Sequence, residues 1–300
     1  MIKFKPRLRS ANGLILTFLN PLKRIGRANR MILANVMVRL PESFVPSGRR
    51  HPGVIVSLTS FPGRIETLWI SLESIYRQKL APEQVVLVLS EEEFPDHRIP
   101  SSVSAFASRG LKIVFHKGNI RSFKKLLPLL DNYADKVIVT ADDDVIYPRS
   151  WLQQLVEAHN DRPDYVLGHR GASITGEGME VAPYIDWSRA NEETPSSHVF
   201  LTGMGGILYP PGALPTITGD ASLAMQLCPT ADDVWFKAMT LINDTPVAKI
   251  GNESGNFPVV RSAQKLALHH ENVKAGQNDL QFRAVMDHFD LWDRLSPLNS

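Results

Sequence analysis

Four short apolar runs, Val54–Leu58, Val85–Leu89, Leu111–Phe115 and Val137–Val139, are separated by helix-length segments. Runs this short and this apolar read as strands buried on both faces. Strand and helix in alternation then predict a mostly parallel α/β sheet flanked by helices. Between the first two runs, Ile65, Leu68, Trp69, Leu72, Ile75 and Tyr76 recur at helical spacing, and Pro62 falls where a first helical turn tolerates proline. Ser122–Leu130 and Pro148–His159 carry further helical patterns, as do Asp232–Ile242 and Asp279–Phe289, with a short strand expected at Val247–Ile250. Glycine and proline are dense from Gly168 to Gly219, which predicts long loops around a site. Sheets of this type bind ligands beyond the carboxyl ends of their strands.

Charge divides the chain. Residues 1–50 hold eleven of the 33 Lys and Arg but one of the 31 acidic residues, Glu42. The other 250 residues therefore carry 22 basic and 30 acidic side chains, a net of −8. In the leader, Lys3, Lys5, Arg7, Arg9, Lys23, Arg24, Arg27 and Arg30 mix with Leu14, Ile15, Leu16, Phe18, Leu19, Met31 and Ile32. That mixture suits a basic extension, 1–50, able to lie on an anionic membrane surface, followed by a catalytic domain over 51–300. A solvated extension, or a helix packed on its own domain, explains it too. Pro41, Pro46, Ser47, Gly48 and Pro52 read as the linker between the two. The acidic body and the lack of an aromatic-basic platform argue against nucleic acid as a partner. No run reaches the roughly 18–20 apolar residues that span a bilayer. Cys228 is the one cysteine, so neither a disulfide framework nor a thiolate metal site is expected. A cytoplasmic location, with the leader on the inner face of the cell membrane, is the resulting expectation.

The stretch Val137-Ile-Val-Thr-Ala-Asp142-Asp-Asp-Val145 carries the most chemical information. Three adjacent carboxylates repel one another and raise each other's pKa values unless a cation accounts for them. In an extended or turning backbone Asp142 and Asp144 point one way and Asp143 the other, a spacing that lets two carboxylates face one ion. Hard oxygen ligands favour Mg²⁺ or Mn²⁺. The alternative is a solvated acidic turn ahead of a helix. Arg121, Lys124 and Lys125 precede this strand and offer cationic contacts to a diphosphate, or form an exposed helix face.

These residues resemble those of the GT-A glycosyltransferases, most of all the family 2-type bacterial enzymes that build surface polysaccharides. The resemblance runs from about Val54 to Phe289. It rests on Val56-Ser-Leu-Thr-Ser-Phe-Pro-Gly-Arg64, on Asp142–Asp144, on Gly203-Met-Gly-Gly206 and on Ala231-Asp-Asp233 leading a helix. The opening departs from the commonest family pattern, in which the first strand leads into Pro-x-Tyr/Phe-Asn; here it leads into Thr59-Ser-Phe-Pro62. The resemblance implies transfer of a sugar from a nucleoside diphosphate sugar, a UDP-sugar foremost, to a saccharide or lipid-linked acceptor, with inversion. It places Thr59, Ser60 and Arg64 along the nucleoside and phosphates, with Lys124, Lys125 and Asp143 as further donor contacts. Asp142 and Asp144 become the metal ligands, with His270, of the pair His269-His270, completing that site. Asp233 becomes the catalytic base and Asp232 its orienter. Gly203–Gly206 becomes the loop that lets backbone approach the sugars, while Tyr184, Trp187 and Trp235 become candidates for stacking on the acceptor. Two rivals stand beside this reading. One is a metal-dependent nucleotidyltransferase, which ordinarily has a glycine-rich basic loop after its first strand. The other is a non-catalytic carbohydrate-binding protein of the same fold.

The leader generates a first test. Removing residues 1–45 is expected to abolish co-flotation with liposomes containing anionic lipid. A full-length chain that never floats with them would end the membrane reading.

Overall fold

The computed structural model describes residues 48–177, 180–251, 254–260 and 276–295, with Val36 isolated before them. The basic leader, and with it the membrane expectation, lies outside the described residues. So do His269, His270, Glu271 and Asn272.

Strand β1 (Arg49–Thr59) leads through a 3-10 turn at Ile65–Thr67 into α1 (Leu68–Tyr76) and β2 (Leu80–Ser90). Strands β3 (Leu111–His116) and β4 (Val137–Ala141) follow, then α2 (Trp151–Asp161) and β5 (Val166–Gly168). A run of short strands comes next: β6 (Gly171–Ser173), β7 (Gly176–Glu177), β8 (Glu180–Val181), β9 (Ser188–Arg189) and β10 (Val199–Leu201). The chain closes with β11 (Ile207–Tyr209), α3 (Ala221–Leu227), α4 (Asp232–Ile242), β12 (Val247–Lys249) and α5 (Gln277–His288).

Seven strands form the central sheet in the order β12-β5-β11-β4-β1-β2-β3. Every neighbouring pair is parallel except those that involve β11, which runs against both β4 and β5. The expected mostly parallel sheet flanked by helices is therefore present. The buried part of β1, Val54–Leu58, is apolar but for Ser57, and its packing shows why. Val54, Val56 and Leu58 pack on one face with α1 and α2, while Ile55 packs on the other with α4 and α5. Burial on both faces removes the alternation that a half-exposed strand would show. Among the described residues no helix is long and apolar enough to cross a membrane.

Several local expectations are corrected. The linker reading of Gly48 to Pro52 fails at its end, because Arg49–His51 pair with Leu80–Pro82 as the start of β1. Helix α1 begins at Leu68 rather than near Pro62; the amides of Arg64 and Ile65 turn back onto the Phe61 carbonyl first. The pattern over 122–130 does not become an α-helix. It forms 3-10 turns at Arg121–Lys125 and Leu127–Leu129, since Pro128 has no N–H to continue a ladder. Helix α2 starts at Trp151, whose amide bonds the Pro148 carbonyl. Trp235 is a core residue with no exposed surface, its indole N–H on the Thr218 carbonyl, so it cannot stack on a sugar. Trp187 donates to the Ala182 carbonyl and packs against Tyr184, Phe200 and Phe282.

One buried cation sits within this packing. Lys237, on α4, lines a cavity of about 20 Å³ together with Val166, Val199, Ile207, Val247 and Asp233. Its ammonium has a Ser196 carbonyl at 3.4 Å, a weak contact, and burial pulls its pKa from 10.5 down to about 7. Below about pH 7 both the folded and unfolded chains hold this proton, and the full cost of burying the charge is present. Between about 7 and 10.5 only the unfolded chain is protonated there, so stability rises with pH. Lys237→Met is expected to stabilise the fold by on the order of a few kcal/mol at pH 7. Thermal melts should show that gain shrinking steadily towards pH 10; an equal gain at both pH values would contradict the burial of a charge.

Candidate active site

The sheet brings the acidic groups together by register. Leu58 of β1 lies beside Ala141 of β4, so Thr59 and Asp142 leave the sheet side by side. Strands β2 and β3 continue from β1 on one side and β4 lies on the other, which makes this gap a topological switch point. Antiparallel β11 starts beside the end of β4, with Ile207 opposite Thr140. The preceding Gly203–Gly206 segment is thereby carried to Asp142.

After Ala141 the chain turns, and two cations sort the three carboxylates. Asp143 accepts from the Ser60 hydroxyl at 2.6 Å and from Arg64 Nη1 at 2.8 Å. The same Arg64 nitrogen lies 3.2 Å from Asp144. Asp142 instead meets Lys125 Nζ at 3.1 Å. The expected alternation, with Asp142 and Asp144 together and Asp143 apart, is thus replaced. Asp143 and Asp144 share a guanidinium, and Asp142 faces an ammonium. The backbone of the turn is fixed at each residue. The Asp142 amide donates to Tyr147 Oη at 2.8 Å, the Ser71 hydroxyl donates to the Asp143 carbonyl at 2.7 Å, and the Val260 amide donates to the Asp144 carbonyl at 2.8 Å.

Asp232 and Asp233 open α4. At a helix N-terminus an aspartate often serves only to cap. Here the amides of Thr230 and Ala231 are taken by the Gln281 side chain from α5, at 2.9 and 3.1 Å. The Asp233 carboxylate turns to the Gly203 amide, which lies 3.1 and 3.2 Å from its two oxygens. Asp232 Oδ2 lies 3.0 Å from Lys125 Nζ; the angles fall short of a good hydrogen bond, so the contact is an ion pair. Lys125 therefore ties the triplet to the pair.

Burial sets the electrostatics. It raises Asp143, and it pushes Asp144 up to about 7 against the pull of Arg64. Burial and then neighbouring Asp232 push Asp233 up to about 7 as well. For Lys125 burial works to lower the pKa, but Asp142, Asp232 and Asp233 together hold it well above the ordinary lysine value, and it stays cationic. Arg64 is raised in the same way: burial opposes, and Asp143 and Asp144 prevail.

Two glycines make the approach possible. A Cβ at Gly203 would stand 2.8 Å from Lys125 Nζ and 3.1 Å from Asp142 Oδ1. Gly206 has φ +76°, and a Cβ there would meet the Trp151 ring at 2.5 Å. Only glycine meets both demands at the second position.

The remaining candidates fall outside this cluster. The Thr59 hydroxyl is spent on the Val88 carbonyl at 2.7 Å. Lys124 is buried and held by Glu93 at 3.0 Å and Asn119 at 2.9 Å. Asp279, in the first turn of α5, accepts from the Tyr184 amide at 2.6 Å. Sequence reasoning overlooked Tyr147, Ser71 and Gln281. Tyr147 sits in an apolar stretch, Val145-Ile-Tyr, and reads as core; Ser71 interrupts the apolar stripe of α1, which is the one visible hint. Gln281 is too distant in sequence to be linked to α4.

The donor set suits a hard divalent ion. Two cations, Arg64 and Lys125, face five aspartates, which leaves three negative charges when all five are ionised. All the donors are carboxylate oxygens, and burial drives Asp143, Asp144 and Asp233 towards the neutral form, a shift that a nearby cation would reverse. Among the described residues no three acidic, histidine or cysteine groups are spaced to hold an ion unaided. An ion held here would therefore need ligands beyond these carboxylates, such as the phosphates of a substrate.

No family model matches the chain, and no curated protein shows significant similarity in sequence. Solved structures do match in fold. The mannosyltransferase PcManGT from Pyrobaculum calidifontis, solved with GDP-Man and Mn²⁺, aligns at 15% identity and a TM-score of 0.50, over 91% of this chain and 73% of that one. A more remote likeness is to the 4-diphosphocytidyl-2C-methyl-D-erythritol synthase of Anaerococcus prevotii, at 15% identity and a TM-score of 0.42, over 78% of this chain and 99% of that one. At such identity the likeness is one of architecture: the chain has a GT-A-like, Rossmann-type sheet flanked by helices.

Proposed function

We propose that the protein is a metal-dependent glycosyltransferase that takes its sugar from a nucleoside diphosphate sugar. The observation that carries this reading is the meeting of two acidic groups, Asp142–Asp144 and Asp232–Asp233, around Lys125 at the switch point of the sheet. One group suits a cation, and the other presents a carboxylate to an acceptor. Asp142, the more exposed of the two proposed ligands, and Asp144 would hold Mn²⁺ or Mg²⁺. A bound divalent ion supplies charge neutralisation for the diphosphate that departs. Asp143 is committed to Ser60 and Arg64 and shapes the turn, so its contribution to donor binding is indirect.

Asp233 is the proposed base. Its carboxylate is anchored by the Gly203 amide and raised to about 7 by burial, which strengthens it as a proton acceptor near neutral pH. Removal of the acceptor's hydroxyl proton by such a group is typically worth ~10²–10⁴-fold in rate. Attack from the face opposite the leaving group would give inversion. Asp232, paired with Lys125, orients its neighbour. A UDP-sugar donor and a saccharide or glycolipid acceptor in surface-polysaccharide synthesis complete the reading. His270 as a further metal ligand, and the leader as a membrane contact, belong to it as proposals. The nucleotidyltransferase alternative needs a free basic loop after β1. Here that loop offers only Gly63 and Arg64, which counts against the alternative, while the bonds of Ser60 and Arg64 to Asp143 bear on both readings alike.

Calorimetry with UDP is expected to show Mn²⁺-dependent binding that Asp144→Ala removes. Asp233→Asn should keep that binding and lose at least ~100-fold in transfer rate. Equal UDP affinity in wild type and Asp144→Ala would sink the metal assignment. Tight UDP binding, with neither transfer nor hydrolysis of any nucleotide sugar, would point to a non-catalytic binder.

A further inference from the structure

Lys125 is placed as no ordinary phosphate-binding lysine would be. Its ammonium is buried between Asp142 and Asp232, 3.1 and 3.0 Å away, and carries the direct contact between the two acidic groups. The 3-10 turn Arg121–Lys125 delivers it to the cluster, whereas the adjacent Lys124 goes to Glu93 and Asn119. Gly203 leaves room for it, since any side chain there would begin 2.8 Å from Nζ. The chain has thus set a positive charge against Asp142, one of the two carboxylates proposed to hold a divalent ion. Two cations on one carboxylate repel one another.

We infer that Lys125 is an internal counter-ion that competes with the divalent metal for Asp142. In the free protein it holds Asp142 in place and limits the affinity for metal alone. When metal arrives with a donor diphosphate, the ammonium gives up Asp142 and keeps Asp232, beside the proposed base. Lys125 is then a positioning residue. It makes metal binding depend on the donor and registers that event at Asp232–Asp233. This inference rests on the metal-dependent reading, and its readout is metal affinity rather than catalysis.

The test is titration of Mn²⁺ alone, without nucleotide, into wild type, Lys125→Met and Lys125→Arg, followed by calorimetry. Lys125→Met removes the charge at similar length and is expected to bind Mn²⁺ more tightly by about tenfold or more, a gain of about 1.4 kcal/mol. Lys125→Arg keeps the charge and should stay near wild type. Should Lys125→Met be too unstable to purify, Lys125→Gln supplies the neutral variant. Thermal melts of the neutral variant in chelator should fall below wild type, and Mn²⁺ should restore them. Equal or weaker Mn²⁺ binding by a folded neutral variant overturns the counter-ion role and leaves the transferase reading standing. Absence of Mn²⁺ binding in every form, with or without UDP, overturns both.

Discussion

Five aspartates gathered around one guanidinium and one ammonium, at the gap between β1 and β4, are the arrangement on which the rest of the structure turns. Desolvating that much charge is costly, and pairing offsets the cost only partly. The surrounding structure accordingly holds the cluster from several sides. The register of β1 on β4 sets its base, Tyr147 and Ser71 fix the turn, and the segment at Val259–Val260 bridges back to Asp144 and Val145. Gln281 fixes the chain's entry to α4 through the amides of Thr230 and Ala231, and no side chain caps that helix. Costly buried charge supported from so many sides is what the proposed function would ask of its site.

Much of the frame was legible because burial writes itself into composition. Strands covered on both faces must be apolar throughout, and all four early runs proved to be strands of the central sheet. Asp232–Ile242 was legible as a helix to the residue, since its apolar stripe has both a length and a period. The failures lie where local pattern and chain geometry part. Over 122–130 the spacing is helical, but Pro128 removes a donor, and the turns that result aim Lys124 and Lys125 in different directions. Strand β11 is three residues long and reversed, and nothing in Ile207-Leu-Tyr209 announces its direction.

Within the site, residue type was readable and partnership was not. Asp142, Asp143 and Asp144 stood out as a group, yet which carboxylate meets which cation depends on a loop 80 residues earlier and a turn 17 residues earlier. The alternation rule fails here for a definite reason: it describes strands, and the strand ends at Ala141. Trp235 shows the converse difficulty. Its size suits stacking on a sugar, but its position on α4 faces the core, and only packing decides between those fates.

The charge balance also constrains what the site can accept. As built, the cluster is anionic, and a diphosphate brought to it alone would meet repulsion on every side except those of Arg64 and Lys125, both already engaged. At separations near 4 Å and an effective dielectric of about 20, each unscreened like-charge contact costs roughly 4 kcal/mol. No rearrangement of two engaged cations removes several such contacts at once. A divalent ion bound with the diphosphate would offset most of that excess, from three negative charges to one when all five aspartates are ionised. The fold by itself does not choose a function, since one sheet of this kind serves many chemistries. The excess of carboxylate over cation narrows that choice, because an anionic substrate would need added positive charge to bind there.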